Sequence, residues 1–125
     1  MAVAHLFLVR SMRSAPLLAA AAILALSGCE KVTKRYATLD DARRDRLFER
    51  GWLPDILPPS ARDIRVTSDL DLNSSEGEFS FDPMHFAAFV AQLRPVDDLF
   101  QYSAARSTWT FSCDSARGHC RFSLR

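Results

Sequence analysis

Apolar and polar side chains alternate over residues 64–72. Ile64, Val66, Leu70 and Leu72 share one parity with Ser68, while Arg65, Thr67, Asp69 and Asp71 take the other. A period of two predicts a half-buried strand. Residues 73–77 carry turn formers, and Phe79 and Phe81 return on the same face. Residues 109–113 and 120–124 also alternate, around a segment holding Asp114, Ser115 and Gly118, which predicts a C-terminal hairpin. Helical spacing occurs twice. Thr38, with Asp41 three positions on, reads as an N-cap ahead of Leu39, Ala42, Leu47 and Phe48, and Gly51 supplies the stop. Asp82-Pro83 opens a second helix carrying Phe86, Phe89, Val90 and Leu93, which Pro95 ends. Between the first helix and the first strand, Pro54, Pro58 and Pro59 forbid a long regular element, and Trp52, Leu53, Ile56 and Leu57 are expected to fold back on the core. Residues 97–108 show no firm period beyond short strand character at Phe100 and Tyr102. The expected fold is therefore α+β: a four-stranded antiparallel sheet with two helices on one face.

The N-terminal segment follows a different logic. Arg10 and Arg13, with no acid near them, precede a 12-residue apolar run at 15–26. As a helix that run is only about 18 Å long, too short for a hydrocarbon core of ~30 Å. It reads as the h-region of a signal peptide. Leu26-Ser27-Gly28-Cys29 resembles the lipobox of bacterial lipoproteins. The resemblance implies cleavage before Cys29 and a diacylglyceryl group on its thiol. Initiation at Met12 rather than Met1 gives a more compact n-region, so both starts stay open. The expected organisation is signal peptide 1–28, lipidated Cys29 with a short tether to residue 37, and one small domain at 38–125. Two or three acyl chains at ~0.8 kcal/mol per buried methylene make such an anchor permanent.

Charge excludes one class of partner. The chain has 16 basic and 15 acidic residues, in no block of like sign, so no nucleic-acid footprint is present. Cleavage removes Arg10 and Arg13 and no acid, leaving the mature part almost neutral. With Cys29 lipidated, Cys113 and Cys120 remain for an oxidising compartment, facing each other across the hairpin, and a disulfide between them is expected. A metal site from Cys113, His119 and Cys120 fails, because His119 and Cys120 are adjacent and point to opposite faces of a strand.

Gly51-Trp52-Leu53-Pro54, Leu57-Pro58 and Ser60-Ala61, followed by Ile64, Asp69-Leu70-Asp71 and Phe79-Ser80-Phe81, resemble small bacterial lipoproteins with a YbbD-type head domain. The likeness covers residues 36–93. It implies an exported lipoprotein of α+β build and supplies no catalytic residue.

No catalytic motif accompanies these features. Ser60, His85 and Asp82 are a serine, a histidine and an acid without a nucleophile elbow. Asp69, Asp71, Asn73 and Glu76 miss the glycine and the terminal glutamate of a calcium loop, where Ser74 and Ser80 stand instead. The expectation is a protein without catalytic residues, metal or cofactor. Trp52, Arg106, Arg117 and Arg121 are candidate partner-binding residues, since arginine and aromatic side chains anchor interfaces. Three functions remain in view: a lipid-anchored envelope module that binds another envelope protein, a periplasmic inhibitor or immunity protein against a secreted toxin or wall hydrolase, and a small-ligand sensor with a pocket under the 52–61 loop. The expected location is the periplasmic side of a bacterial membrane. Glu30 is not the aspartate associated with inner-membrane retention, which favours the outer membrane.

Overall fold

In the computed structural model residues 30–125 are described, and Lys31–Arg125 form one folded unit. Cys29 and the signal segment 1–28 lie outside the described residues. Seven strands make one antiparallel sheet: β1 (Lys31–Thr38), β2 (Arg62–Asp69), β3 (Ser74–Ser80), β4 (Arg94–Val96), β5 (Leu99–Ala104), β6 (Ser107–Asp114) and β7 (His119–Leu124). Their spatial order is β1-β2-β3-β7-β6-β5-β4. Each strand pairs with its sequence neighbour except at one place, where β7 returns to the middle and pairs with β3. The helices are short: α1 (Leu39–Arg44), and α2 (Phe86–Val90) after a 3-10 turn at Pro83–His85.

The four-stranded expectation is thus corrected to a seven-stranded sheet with two short helices. Three strands escaped the sequence pattern. Residues 31–37, read as a tether, are strand β1, which pairs with β2 from Lys31↔Asp69 to Thr38↔Arg62. Only Tyr36 is buried in it, so its alternation carries almost no apolar signal. Strand β5 occupies the stretch where no period was evident, because it is exposed at both ends and only half-buried between them, and β4 takes in Pro95, read as the end of the second helix. Both helices are shorter than their spacing predicts. The first stops at Asp45, whose N–H bonds to the Asp41 carbonyl, and Arg46 then turns left-handed at φ 59°. Leu47 still reaches the core, from an irregular turn. The first predicted strand ends at Asp69 rather than Leu72. Asp69 Oδ1 accepts the N–H groups of Asp71 and Leu72 at 3.1 Å each, which closes a turn and leaves Leu70 and Leu72 exposed.

One face of the sheet carries the core. Ile64, Val66, Phe79, Phe81, Trp109, Phe111, Cys120, Phe122 and Leu124 form a single buried cluster with Leu39 and Ala42 of α1, Leu53, Leu57 and Ala61 of the connector, and Phe89 of α2. Phe89 and Phe111 meet edge to face, with centroids 5.4 Å apart. Cys113 and Cys120 are direct cross-strand neighbours on this face, joined by a disulfide with Cα atoms 4.1 Å apart. Gly77 sits where β2 and β3 come closest. A Cβ there meets the Arg65 carbonyl oxygen at 1.8 Å, so only glycine fits. Beside it, β2 bulges between Arg62 and Arg65, with Asp63 at φ 50°.

Candidate functional site

Strand β1 ends the sheet, and no strand pairs with its outer edge among the described residues. Its alternation sends Val32, Lys34 and Tyr36 to the covered face. There they meet Val66 and Ser68 of β2, Leu70, and Leu47, Arg50 and Trp52 of the connector. Together these residues line a groove of about 220 Å³ alongside the edge. The connector is fixed over the sheet by the Trp52 carbonyl, which accepts from Ser75 Oγ at 2.9 Å and from Trp109 Nε1 at 3.2 Å. Those donors come from β3 and β6, so one backbone oxygen ties the groove wall to two strands.

The polar wall of the groove is internally satisfied. Asp45 Oδ2 accepts from the Tyr36 hydroxyl at 2.5 Å, from Arg50 Nη2 at 2.9 Å and from Lys34 Nζ at 3.0 Å. The Tyr36 hydrogen bond, followed by that from Lys34, holds the Asp45 carboxyl down to about 2. Burial, reinforced by the neighbouring carboxylate, pushes the Tyr36 phenol up to about 12. With this carboxylate neutralised by Lys34 and Arg50, the groove offers chiefly the apolar surfaces of Val32, Leu47, Trp52, Val66 and Leu70. A strand edge supplies main-chain hydrogen bonds, and an apolar groove beside it takes a side chain of the added strand.

The opposite face of the sheet is polar and uncovered, as an antiparallel sheet allows. Arg35, Arg65, Glu78 and Arg121 lie in one cross-strand row over β1, β2, β3 and β7. Glu78 is approached by Arg65 at 3.5 Å, His119 at 3.6 Å and Arg121 at 3.9 Å. It offsets the repulsion between Arg35 and Arg65, which face each other directly. Exposed pairs of this kind contribute roughly 0–1 kcal/mol each and keep the face solvated.

The predicted contact residues do not form one patch. Trp52 lies on the covered face and Arg121 on the open one. Arg106 occupies the β5–β6 turn and Arg117 the β6–β7 turn, at opposite ends of β6, about 24 Å apart at the rise of a strand. Of the four, only Trp52 lines the groove. The sequence reading missed Val32, Tyr36 and Asp45. The alternation of Val32, Lys34 and Tyr36 was available as a signal, but Lys31, Lys34 and Arg35 gave the segment the composition of a solvated linker.

Ser60, His85 and Asp82 do come together. Ser60 Oγ accepts the Asp82 backbone N–H at 2.9 Å and lies 2.7 Å from His85 Nδ1. The Asp82 carboxylate, however, accepts from the Met84 N–H at 3.0 Å and caps the 3-10 turn instead of orienting the ring. The arrangement fastens the connector to the start of the second helical segment.

Residues 30–80 match the family model of the YbbD head domain. No curated protein and no solved structure is significantly similar to the chain. The matched segment runs from β1 through β3 and contains every residue lining the groove. The chain is YbbD head-domain-like over this stretch, which points to an envelope-associated protein, and the Cys113–Cys120 disulfide suits that setting.

Proposed function

We propose that the protein is a non-enzymatic, lipid-anchored module of the bacterial cell envelope that faces the periplasm and binds another envelope protein. The partner contributes an extended segment that adds to the outer edge of β1 and places an apolar side chain in the groove under Trp52. The observation that carries this reading is the coincidence of an eight-residue edge strand, with no strand on its outer side among the described residues, and an apolar groove lined by its own alternate side chains. Main-chain pairing along the edge supplies affinity, and the groove supplies selectivity. Native edges of this kind are guarded against indiscriminate pairing by lysines. Lys31 and Lys34 fill that role here, so pairing needs a partner that also satisfies the groove.

The test is photo-crosslinking in cells, with a photoreactive residue at Val32 beside the groove or at Thr110 on the open face. A discrete protein adduct from position 32, and none from 110, is the expected result. An adduct confined to position 110 overturns the edge-strand reading. The identity of the adduct also decides what binding achieves: a structural envelope protein means maintenance, whereas a secreted toxin or wall hydrolase makes the module its inhibitor.

A further inference from the structure

The end of the sheet where β1 begins carries its own chemistry. Lys31 pairs with Asp69, and Asp69 with Ser74, so the start of β1 and the β2–β3 turn lie side by side. Leu124 pairs with both Ser75 and Trp109, and Thr108 exchanges backbone hydrogen bonds with Arg125, which brings the β5–β6 turn to the same end. Three of the exposed large apolar residues gather here: Val32 borders the groove, and Leu70 and Leu72 form the tip, with Leu72 75% exposed. Lys31 and Arg125 lie beside Leu72, and Arg106 stands in the β5–β6 turn at the same end. The acids of this end are Glu30, next to Lys31, Asp69, whose carboxylate is engaged by the turn, Asp71 and Glu76.

Cys29 precedes Lys31 by two residues, a covalent reach of at most about 7 Å. The headgroup layer on each side of a hydrocarbon core is ~5–8 Å deep. A cysteine anchored by acyl chains therefore leaves no room for a spacer between the bilayer and this end of the sheet. We infer that the β2–β3 tip, with Leu70 and Leu72, lies in the headgroup layer of the membrane that holds the anchor, and that Lys31, Arg106 and Arg125 contact anionic lipid there. The inference rests on lipidation of Cys29. It makes the domain a rigidly seated body whose strands rise from the bilayer, and it sets the open edge of β1 within about 30 Å of the surface, at ~3.4 Å per residue.

The test uses the full precursor, processed in cells, with one introduced cysteine. Asp71→Cys places a dye between the two leucines, and Met84→Cys places the same dye at the opposite end, where Met84 is 77% exposed. The purified mature proteins are weighed intact and reconstituted in phosphatidylethanolamine and phosphatidylglycerol vesicles carrying a headgroup nitroxide. The expected result is a lipid adduct on Cys29 and several-fold stronger nitroxide quenching at position 71 than at 84. Adding Leu70→Ser and Leu72→Ser to the Asp71→Cys form should bring quenching down to the Met84 level while the adduct remains. A lipidated protein quenched equally at both positions overturns the seating and leaves the anchor intact. Strong quenching at 71 that survives the double serine change contradicts the part given to Leu70 and Leu72. A bare Cys29 thiol overturns both ideas.

Discussion

Asp45 accepts three donors at one oxygen, and the structure makes its ionisation part of the fold. Because the folded carboxyl sits at about 2, below the ordinary 3.8, it contributes stability that is fully present above pH 4 and is lost as pH falls toward 2. Tyr36 runs the other way. Its phenol is pushed up from 10 to about 12, so its contribution is complete below pH 10 and disappears as pH rises toward 12. Replacing Asp45 with Asn should bring the Tyr36 ionisation, followed by phenolate absorbance, back toward 10. It should also flatten the acid limb of the stability profile. An unchanged Tyr36 titration contradicts the hydrogen-bond assignment. Gly77 is the other decisive single position. The 1.8 Å approach of an added Cβ to the Arg65 carbonyl cannot be relieved by side-chain rotation, so Gly77→Ala should cost about 3 kcal/mol or more in urea unfolding. A loss under about 1 kcal/mol means the β2–β3 approach is looser than described.

Among elements, those with one fully buried face were legible and those at the margins were not. Ile64 and Val66 in β2, Phe79 in β3, Trp109 and Phe111 in β6, and Phe122 and Leu124 in β7 each alternate against polar neighbours, because these central strands bury one side completely. An edge strand buries little. In β1 only Tyr36 reaches the core, and three cations hide the period of two, so the element that forms the candidate site was the hardest to read. The reverse error occurred at Leu70 and Leu72, whose parity extends that of Val66. The side chain of Asp69 captures the following backbone N–H groups and ends the strand before them. The hairpin cysteines were legible because pairing required only two alternating strands in register. Reducing the bridge, or replacing both with serine, should lower stability by about 2–3 kcal/mol through loop-closure entropy. No loss of stability on reduction contradicts a stapling role for it.

At the scale of the whole molecule, a small core is closed by aromatic packing on one side of a wide sheet, and the surface consequences differ sharply between residues of similar hydrophobicity. Phe89, buried against Phe79, Phe81 and Phe111, should cost about 3–5 kcal/mol when cut to alanine. Leu72→Ser should change stability by less than about 0.5 kcal/mol, since the residue is exposed. Equal losses contradict the burial pattern. The same contrast shows why Leu72 is available for work outside the fold. The edge of β1 and the tip at Leu72 both gain their meaning from what holds the N-terminus, so the direct measurement is the intact mass of the mature protein purified from envelopes. The expected result is a chain that begins at Cys29 and carries a diacylglyceryl group on that sulfur. A chain that retains residues before Cys29, or begins there with a free thiol, contradicts it.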